Sequence, residues 1–247
     1  RADELAAALQ DDPRLGDLDP VPVRDAAQLG RALVGATLLV TTNGLPRNAF
    51  DEAGELRWIH VAAAGVDGVV GAALPKGVRV TRTTGTFGRR MAEYVCAHVL
   101  ALAQDVHGFR AQQHAGVWRN RPVHHLEGKT AGVMGVGSIG RVVATRLAQF
   151  GMTVHGLARS TGSDPSIQRW FTPDERLAFA RQLDVVVSTL PLTEATRGLV
   201  DRDFLDALPP GAWLVNVGRG PVIDQSALES ALDTGHLGAA VLDVFET

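Results

Sequence analysis

TAGVMGVGSIGRVVATRLAQFGMTVHGLARS, running from Thr130 to Ser160, is the stretch on which the fold turns. Ala131 to Val136 is a short apolar run that reads as a fully buried strand. Gly135, Gly137 and Gly140 follow in G-x-G-x-x-G spacing, Val142 to Phe150 repeats apolar residues at helical spacing, and Met152 to Leu157 reads as a second strand. Glycines in that spacing mean little alone. Between a strand and a helix that leads to a second strand, they point to a dinucleotide site. Gly135 permits the tight turn, Gly137 lets the backbone approach a pyrophosphate, and Gly140 lets helix and strand pack closely. The helix N-terminus then offers unpaired N–H groups and a positive dipole end to phosphates. The plain alternative is a glycine-rich turn in a phosphate-free α/β unit.

Downstream, Asp184 to Leu190 (DVVVSTL) and Ala212 to Val217 (AWLVNV) are apolar, β-branched runs that read as central strands. Asp224 to Leu232 reads as a helix and Gly238 to Phe245 as a last strand. Thr130 to Phe245 thus holds at least five strands separated by helices or long connections, the pattern of a doubly wound parallel sheet. Upstream, Arg89 to Gln113 is the longest helical pattern, with Met91, Val95, His98, Val99, Leu102 and Val106 on one side. Ala115 to Glu127 is irregular, carries Trp118, Pro122 and two adjacent histidines, and reads as a functional loop or a partner contact.

Gly85 and Gly88 mark a change of lobe. Before them come a helix from Asp3 to Gln10, an extended piece at Val21 to Val23, and a helix capped by Asp25 and reaching Val34. A strand from Thr37 to Thr42, a short helix opened by Pro46, and strands from Leu56 to Ala62 and Val78 to Thr83 follow. That is a small parallel α/β lobe. The expected division is residues 1–88 for this lobe and 89–247 for the dinucleotide-binding domain.

The 247 residues are 45% apolar and 21% charged, enough for a large core, and the net charge of −3 gives no basic footprint for nucleic acid or anionic membrane. A single cysteine, Cys96, excludes an internal disulfide and fits a reducing, cytoplasmic compartment. No apolar run approaches the length of a membrane span, and no metal-ligand spacing occurs.

Six spaced segments together resemble the D-isomer-specific 2-hydroxyacid dehydrogenase family, in its NADP-type, glyoxylate/hydroxypyruvate reductase-like branch. They are AAAGVD (Ala62 to Asp67), AEYVCAHVLAL (Ala92 to Leu102), GVGSIG (Gly135 to Gly140), TLPLTEATRGL (Thr189 to Leu199), NVGRG (Asn216 to Gly220) and AAVLDVFE (Ala239 to Glu246). The resemblance implies two α/β lobes: a Rossmann-type cofactor lobe inserted within a smaller, flavodoxin-like substrate lobe, with substrate in the cleft. It also implies hydride transfer between a nicotinamide dinucleotide and a small 2-keto or 2-hydroxy acid (D-isomer), in a homodimer joined through the cofactor domain.

Arg219 follows a predicted strand end, where ligands of open α/β sheets gather, and its fork suits the carboxylate and C2 carbonyl of a 2-oxo acid. The resemblance gives it that catalytic role. It gives carboxylate binding to the backbone of Ala64, Gly65 and Val66, which alone would read as an ordinary strand-to-helix turn. For the cofactor it implies Gly135, Gly137, Ser138, Ile139, Gly140, Leu190, Pro191, Thr196, Val217, Gly218 and Asp243. Asp243 would bond the nicotinamide carboxamide, though by itself it reads equally as a cap.

An NAD enzyme places an acid about twenty residues past the glycines to bond the ribose hydroxyls. Here Ala158 occupies that place, followed by Arg159 and Ser160. An acid would repel a 2′-phosphate, whereas an arginine pairs with it, so NADP(H) is the expected cofactor in preference to NAD. Asp164 is the one acid that a loop could return to the ribose.

In the family, a histidine held charged by a glutamate supplies the proton. None of the eight histidines matches it, and the family spacing puts that glutamate just after Thr247, with Glu246 out of register by two. The sequence begins at Arg1 and stops within a motif at Thr247, so both ends read as trimmed and a closing part of the first lobe is expected beyond. Two other readings share the scaffold: a dehydrogenase of another small anion, such as phosphite or formate, and a nucleotide-sensing, corepressor-like binding protein.

Overall fold

A computed structural model describes residues 2–246 apart from 17, 43, 44, 47, 52 and 71, and apart from the side chains of 26 and 70. The chain divides into two compact units, Arg1–Thr84 and Gly85–Thr247. In the first unit, α1 (Ala2–Gln10) and α2 (Ala26–Leu33) precede β1 (Leu38–Thr41), β2 (Trp58–Val61), α3 (Asp67–Val70) and β3 (Arg79–Arg82). The strands pair in parallel in the order β1-β2-β3. Asp25 caps α2 by accepting from the Gln28 N–H at 2.8 Å, which seats Leu29 and Leu33 against Ile59 and Val61 in one apolar cluster.

The second unit opens with α4 (Gly88–Ala103) and α5 (Val106–His114), then β4 (Thr130–Met134), α6 (Gly140–Gln149), β5 (Thr153–Leu157), β6 (Arg169–Phe171) and α7 (Arg176–Ala180). It continues through β7 (Val185–Ser188), α8 (Arg202–Ala207), β8 (Ala212–Asn216), α9 (Gln225–Asp233) and β9 (Leu237–Leu242). The strand order is β6-β5-β4-β7-β8-β9 and every pairing is parallel: the doubly wound Rossmann arrangement, reversing between β4 and β7. Successive residues of each strand are buried against opposite faces. Val185, Val187 and Val215 join the cluster with α4 and α6, while Val186 and Leu214 join the cluster with α7, α8 and α9. This two-sided burial is why the strands read as unbroken apolar runs.

The structure corrects the sequence expectation at several points. The single helix expected from Arg89 to Gln113 is two, because Asp105 adopts a left-handed backbone (φ 46°). There its carboxylate caps α5 through the Gly108 N–H at 3.2 Å and pairs with Arg121. The helical piece expected from Pro46 is a turn over 48–51, residues 47 and 52 lying outside the described residues. The edge strand β6 and the helices α7 and α8 were not anticipated; the turn before α7 is closed by Glu175, which accepts from the Thr172 N–H at 2.9 Å. Among the described residues no helix is long and apolar enough to cross a membrane, and no group of three metal-ligating side chains occurs.

One buried polar group has a thermodynamic consequence. His155 on β5 is 8% exposed, its ring lies 5.7 Å from that of Phe171, and its Nδ1 has no hydrogen-bond partner among the described residues. Burial, and then the charge of Arg169, hold its pKa below the ordinary 6.5. The unfolded chain therefore takes up the proton first. Stability is full above the unfolded value and falls as pH drops through it toward the folded value. Melting curves from about pH 7.5 to about pH 5.5 should show a smaller loss of Tm for His155→Leu than for wild type.

Candidate functional site

Four neighbouring strands of the second unit end in line, and their C-terminal ends carry most of the residues singled out in the sequence. The ladder continues past the strands: Gly135 N–H donates to Leu157 O (2.9 Å), Thr189 N–H to Met134 O (2.9 Å), Val217 N–H to Ser188 O (3.0 Å) and Asp243 N–H to Asn216 O (3.0 Å). The glycine turn after β4, Leu190 and Pro191 after β7, Val217 to Arg219 after β8 and Asp243 after β9 thus leave from one edge of the sheet. The chain-order reversal lies between the first two, where open α/β sheets bind ligands.

Each glycine of the turn has its own geometry. Gly135 has φ +89°, a conformation that side chains rarely adopt. A Cβ on Gly140 would lie 2.2 Å from Gly135 O and 3.0 Å from Thr189 Oγ, so helix and turn touch through backbone. A Cβ on Gly137 would meet nothing within 4 Å. No side chain caps α6, and the N–H groups of Ser138, Ile139 and Gly140 have no hydrogen-bond partner among the described residues. An open cradle with unpaired donors at a helix N-terminus fits a pyrophosphate. Gly88 of α4 supports it from behind: a Cβ there would press on Val142 at 2.9 Å and Ser138 O at 3.0 Å. Thr189, which no sequence motif singled out by role, donates its hydroxyl to Gly135 O at 2.6 Å and so ties β7 to the turn.

At the end of β5, Ala158 is half-buried while Arg159 and Ser160 are exposed. Asp164 is turned onto α6: its carboxylate accepts from Arg141 Nη1 at 3.2 Å and from the Ser166 N–H at 3.0 Å. Thr196 folds its own loop, donating to Pro191 O at 2.6 Å and accepting from the Thr193 N–H at 2.8 Å.

Arg219 sits on a turn built almost wholly from backbone. A Cβ on Gly218 would lie 2.5 Å from Leu190 O, and one on Gly220 would lie 2.0 Å from the carbonyl carbon of Phe245. Two neighbouring loops therefore grip the turn on either side. Asn216, fully buried, staples it: Oδ1 accepts from the Gly218 N–H (3.1 Å) and Nδ2 donates to Arg219 O (2.9 Å). The Arg219 guanidinium donates to Gly218 O at 2.7 Å. Asp243 is exposed, and the Tyr94 phenol is raised first by burial and then by the Asp243 charge.

In the first unit, Ala64, Gly65 and Val66 lie between β2 and α3, and no hydrogen bond engages their N–H groups among the described residues. Arg82 Nη1 donates to Ala64 O, fixing the loop from β3. His60, four residues before Ala64 on β2, is held by the hydroxyls of Thr81 (2.9 Å) and Thr83 (3.2 Å). Cys96 is half-buried on α4 and burial pushes its thiol up, away from nucleophilic use.

Residues 96–247 match the family described as D-isomer specific 2-hydroxyacid dehydrogenase, NAD binding domain. The chain belongs to that family. An uncharacterized protein of Streptomyces coelicolor is 39% identical over 214 residues, which cover 86% of this chain and 73% of the relative. The glyoxylate/hydroxypyruvate reductase A of Serratia proteamaculans is 31% identical over 82% of this chain and 67% of its own length. Among solved structures, a D-isomer specific 2-hydroxyacid dehydrogenase from Xanthobacter autotrophicus Py2, in complex with NADPH and MES, superposes with a TM-score of 0.84 at 30% identity. That superposition covers 100% of this chain and 78% of that one. As a 2-hydroxyacid dehydrogenase family member, the protein is an oxidoreductase whose Rossmann-type domain takes a nicotinamide dinucleotide. The glycine turn and the Arg219 turn are therefore parts of one sheet edge in a known dehydrogenase architecture. Asn216 and Thr189, to which the sequence motifs gave no role, are the groups that brace them.

Proposed function

We propose that the protein reduces a small 2-keto acid to its 2-hydroxy acid with NADPH, giving the D-isomer where the product is chiral, with glyoxylate and hydroxypyruvate the favoured substrate type. The observation that carries this is the Arg219 turn, stapled by Asn216 and gripped by two loops on the same sheet edge as the glycine cradle. A guanidinium held on so constrained a turn is preorganised for a planar oxyanion. In this reading Arg219 bridges the carboxylate and C2 carbonyl of the substrate, and the N–H groups of Ala64, Gly65 and Val66, without a partner among the described residues, are the carboxylate-binding loop of the first unit. Arg219 polarises the carbonyl oxygen but does not protonate it, because a guanidinium keeps its protons throughout the working pH range. When bound, the reduced nicotinamide supplies the hydride for C2, and the proton that completes the hydroxyl comes in this reading from the family's histidine–glutamate pair, a role that none of the eight histidines here takes. The cradle N–H groups of Ser138, Ile139 and Gly140 hold the diphosphate, Leu190, Pro191, Thr196, Val217 and Gly218 line its course, and Asp243 orients the carboxamide.

NADP(H) is favoured over NAD(H) because Ala158 stands where an acid would be and Arg159 and Ser160 are exposed at the strand end. The reading also includes a homodimer through the cofactor unit. Its support is the apolar surface around α5 and the following segment, where Val106, Phe109, Val117 and Val123 are exposed and Trp118 is wholly so.

The full-length protein should oxidise NADPH in the presence of glyoxylate or hydroxypyruvate, followed by absorbance decay. The glycerate formed from hydroxypyruvate should be the D-isomer on a chiral column. Tight NADPH binding without turnover of any 2-oxo acid would instead support the nucleotide-sensing reading, and turnover of phosphite or formate the other-anion reading.

A further inference from the structure

Arg141 lies outside the glycine motif and was given no role by it. It is the second residue of α6, and its guanidinium reaches across to Asp164, 23 positions on. Asp164 is the only acid between Ala158 and Ile167, the segment that leaves β5 with Arg159 and Ser160. Its carboxylate is only 9% exposed and is held from two sides, by Arg141 Nη1 (3.2 Å) and by the Ser166 N–H (3.0 Å).

The same segment is pinned to α6 one turn further along, where the hydroxyls of Ser166 and Thr145 meet at 3.0 Å. It is closed by the Ile167 N–H donating to Asp164 O at 3.0 Å, and Ile167 itself is buried. Gly162 rests on Trp170, whose ring a Cβ there would meet at 3.0 Å. The loop is thus fixed with its one negative charge paired and turned toward the helix, while Arg159 and Ser160 stay open.

We propose that Arg141 is a positioning residue for cofactor selectivity: by holding Asp164 against α6 it keeps that carboxylate from the 2′-phosphate seat at Arg159 and Ser160. The inference rests on the reading that these two residues take the 2′-phosphate. Released, Asp164 sits on the same short loop as that seat, four positions after Ser160, where its charge repels a 2′-phosphate and its oxygens are free to accept from ribose hydroxyls. A change at Arg141 is therefore read as a change in the ratio of NADPH to NADH affinity, which a purely structural role would not move.

Fluorescence titration of the full-length protein with each nucleotide tests this without turnover. Arg141→Gln should weaken NADPH about tenfold and leave NADH within about twofold, the scale of one unscreened charge near a surface. Asp164→Asn added to Arg141→Gln should return NADPH affinity to near the wild-type value. Equal weakening of both nucleotides by Arg141→Gln, no change at all, or failure of the second substitution to rescue would each overturn the proposal. Arg159→Gln separates this from its premise. If it leaves the NADPH-to-NADH ratio unchanged, the 2′-phosphate reading itself fails. If it lowers the ratio while Arg141→Gln does not, only the role of Arg141 is lost.

Discussion

Arg219→Lys is expected to lower kcat/KM for a 2-oxo acid by about 10²–10³-fold while NADPH affinity stays within about twofold. The reason lies in the turn. Gly218 and Gly220 each lie against a neighbouring backbone, so the chain cannot shift to carry a shorter or differently shaped cation to the same place. Lysine keeps the charge but loses the planar fork that would span carboxylate and carbonyl together. The loss should divide between kcat and KM, because the carboxylate contact exists in the ground state and the carbonyl contact strengthens as charge develops. Arg219→Gln, which loses the charge as well, should be at least as severe. Stopped-flow binding and steady-state assays on the full-length protein separate the two effects. A fall in NADPH affinity as large as the fall in kcat/KM would place Arg219 on the nucleotide and sink the assignment.

Much of the second unit could be read in advance, and the reason is specific. Val185 to Val187 and Ala212 to Val215 are apolar at every position because parallel strands covered on both faces leave no polar side. The edge strand β6 has no such signature: three residues, Arg169 exposed and Phe171 buried, do not make a pattern. The break between α4 and α5 was hidden because no glycine or proline marks it. Asp105 takes the left-handed conformation, a choice stabilised by Gly108 and by Arg121 from a later loop. At the candidate site the glycines stood out by spacing, and Arg219 by its place just past a strand end and by the family resemblance. Asn216 did not, since in sequence it is only the polar tail of a strand; its value comes from a turn three residues long that folds back on it. Asp164 was equally opaque. Whether a loop carboxylate faces a ribose or a helix depends on an arginine 23 residues earlier, and no local pattern carries that pairing.

Gly137→Ala and Gly140→Ala are expected to fail in opposite ways. At Gly137 a methyl would meet no atom within 4 Å, so the folded protein should keep its stability to within about 0.5 kcal/mol. In the proposed cofactor seat, that empty space is where a diphosphate comes close to the backbone. The alanine variant should therefore bind NADPH at least about tenfold more weakly, or about 1.4 kcal/mol. At Gly140 a methyl would lie 2.2 Å from Gly135 O, a backbone atom in a turn already fixed by the Thr189 hydroxyl. Turn and helix must separate, at a cost of about 1–3 kcal/mol, and the cradle N–H groups move with them. Gly140→Ala should lower the Tm and weaken NADPH together, whereas Gly137→Ala should weaken NADPH at unchanged Tm. Thermal melts and nucleotide titrations on the same two preparations give the comparison. A stable Gly137→Ala protein with wild-type NADPH affinity would mean that no phosphate approaches this turn, and the cofactor assignment would have to move elsewhere on the sheet edge.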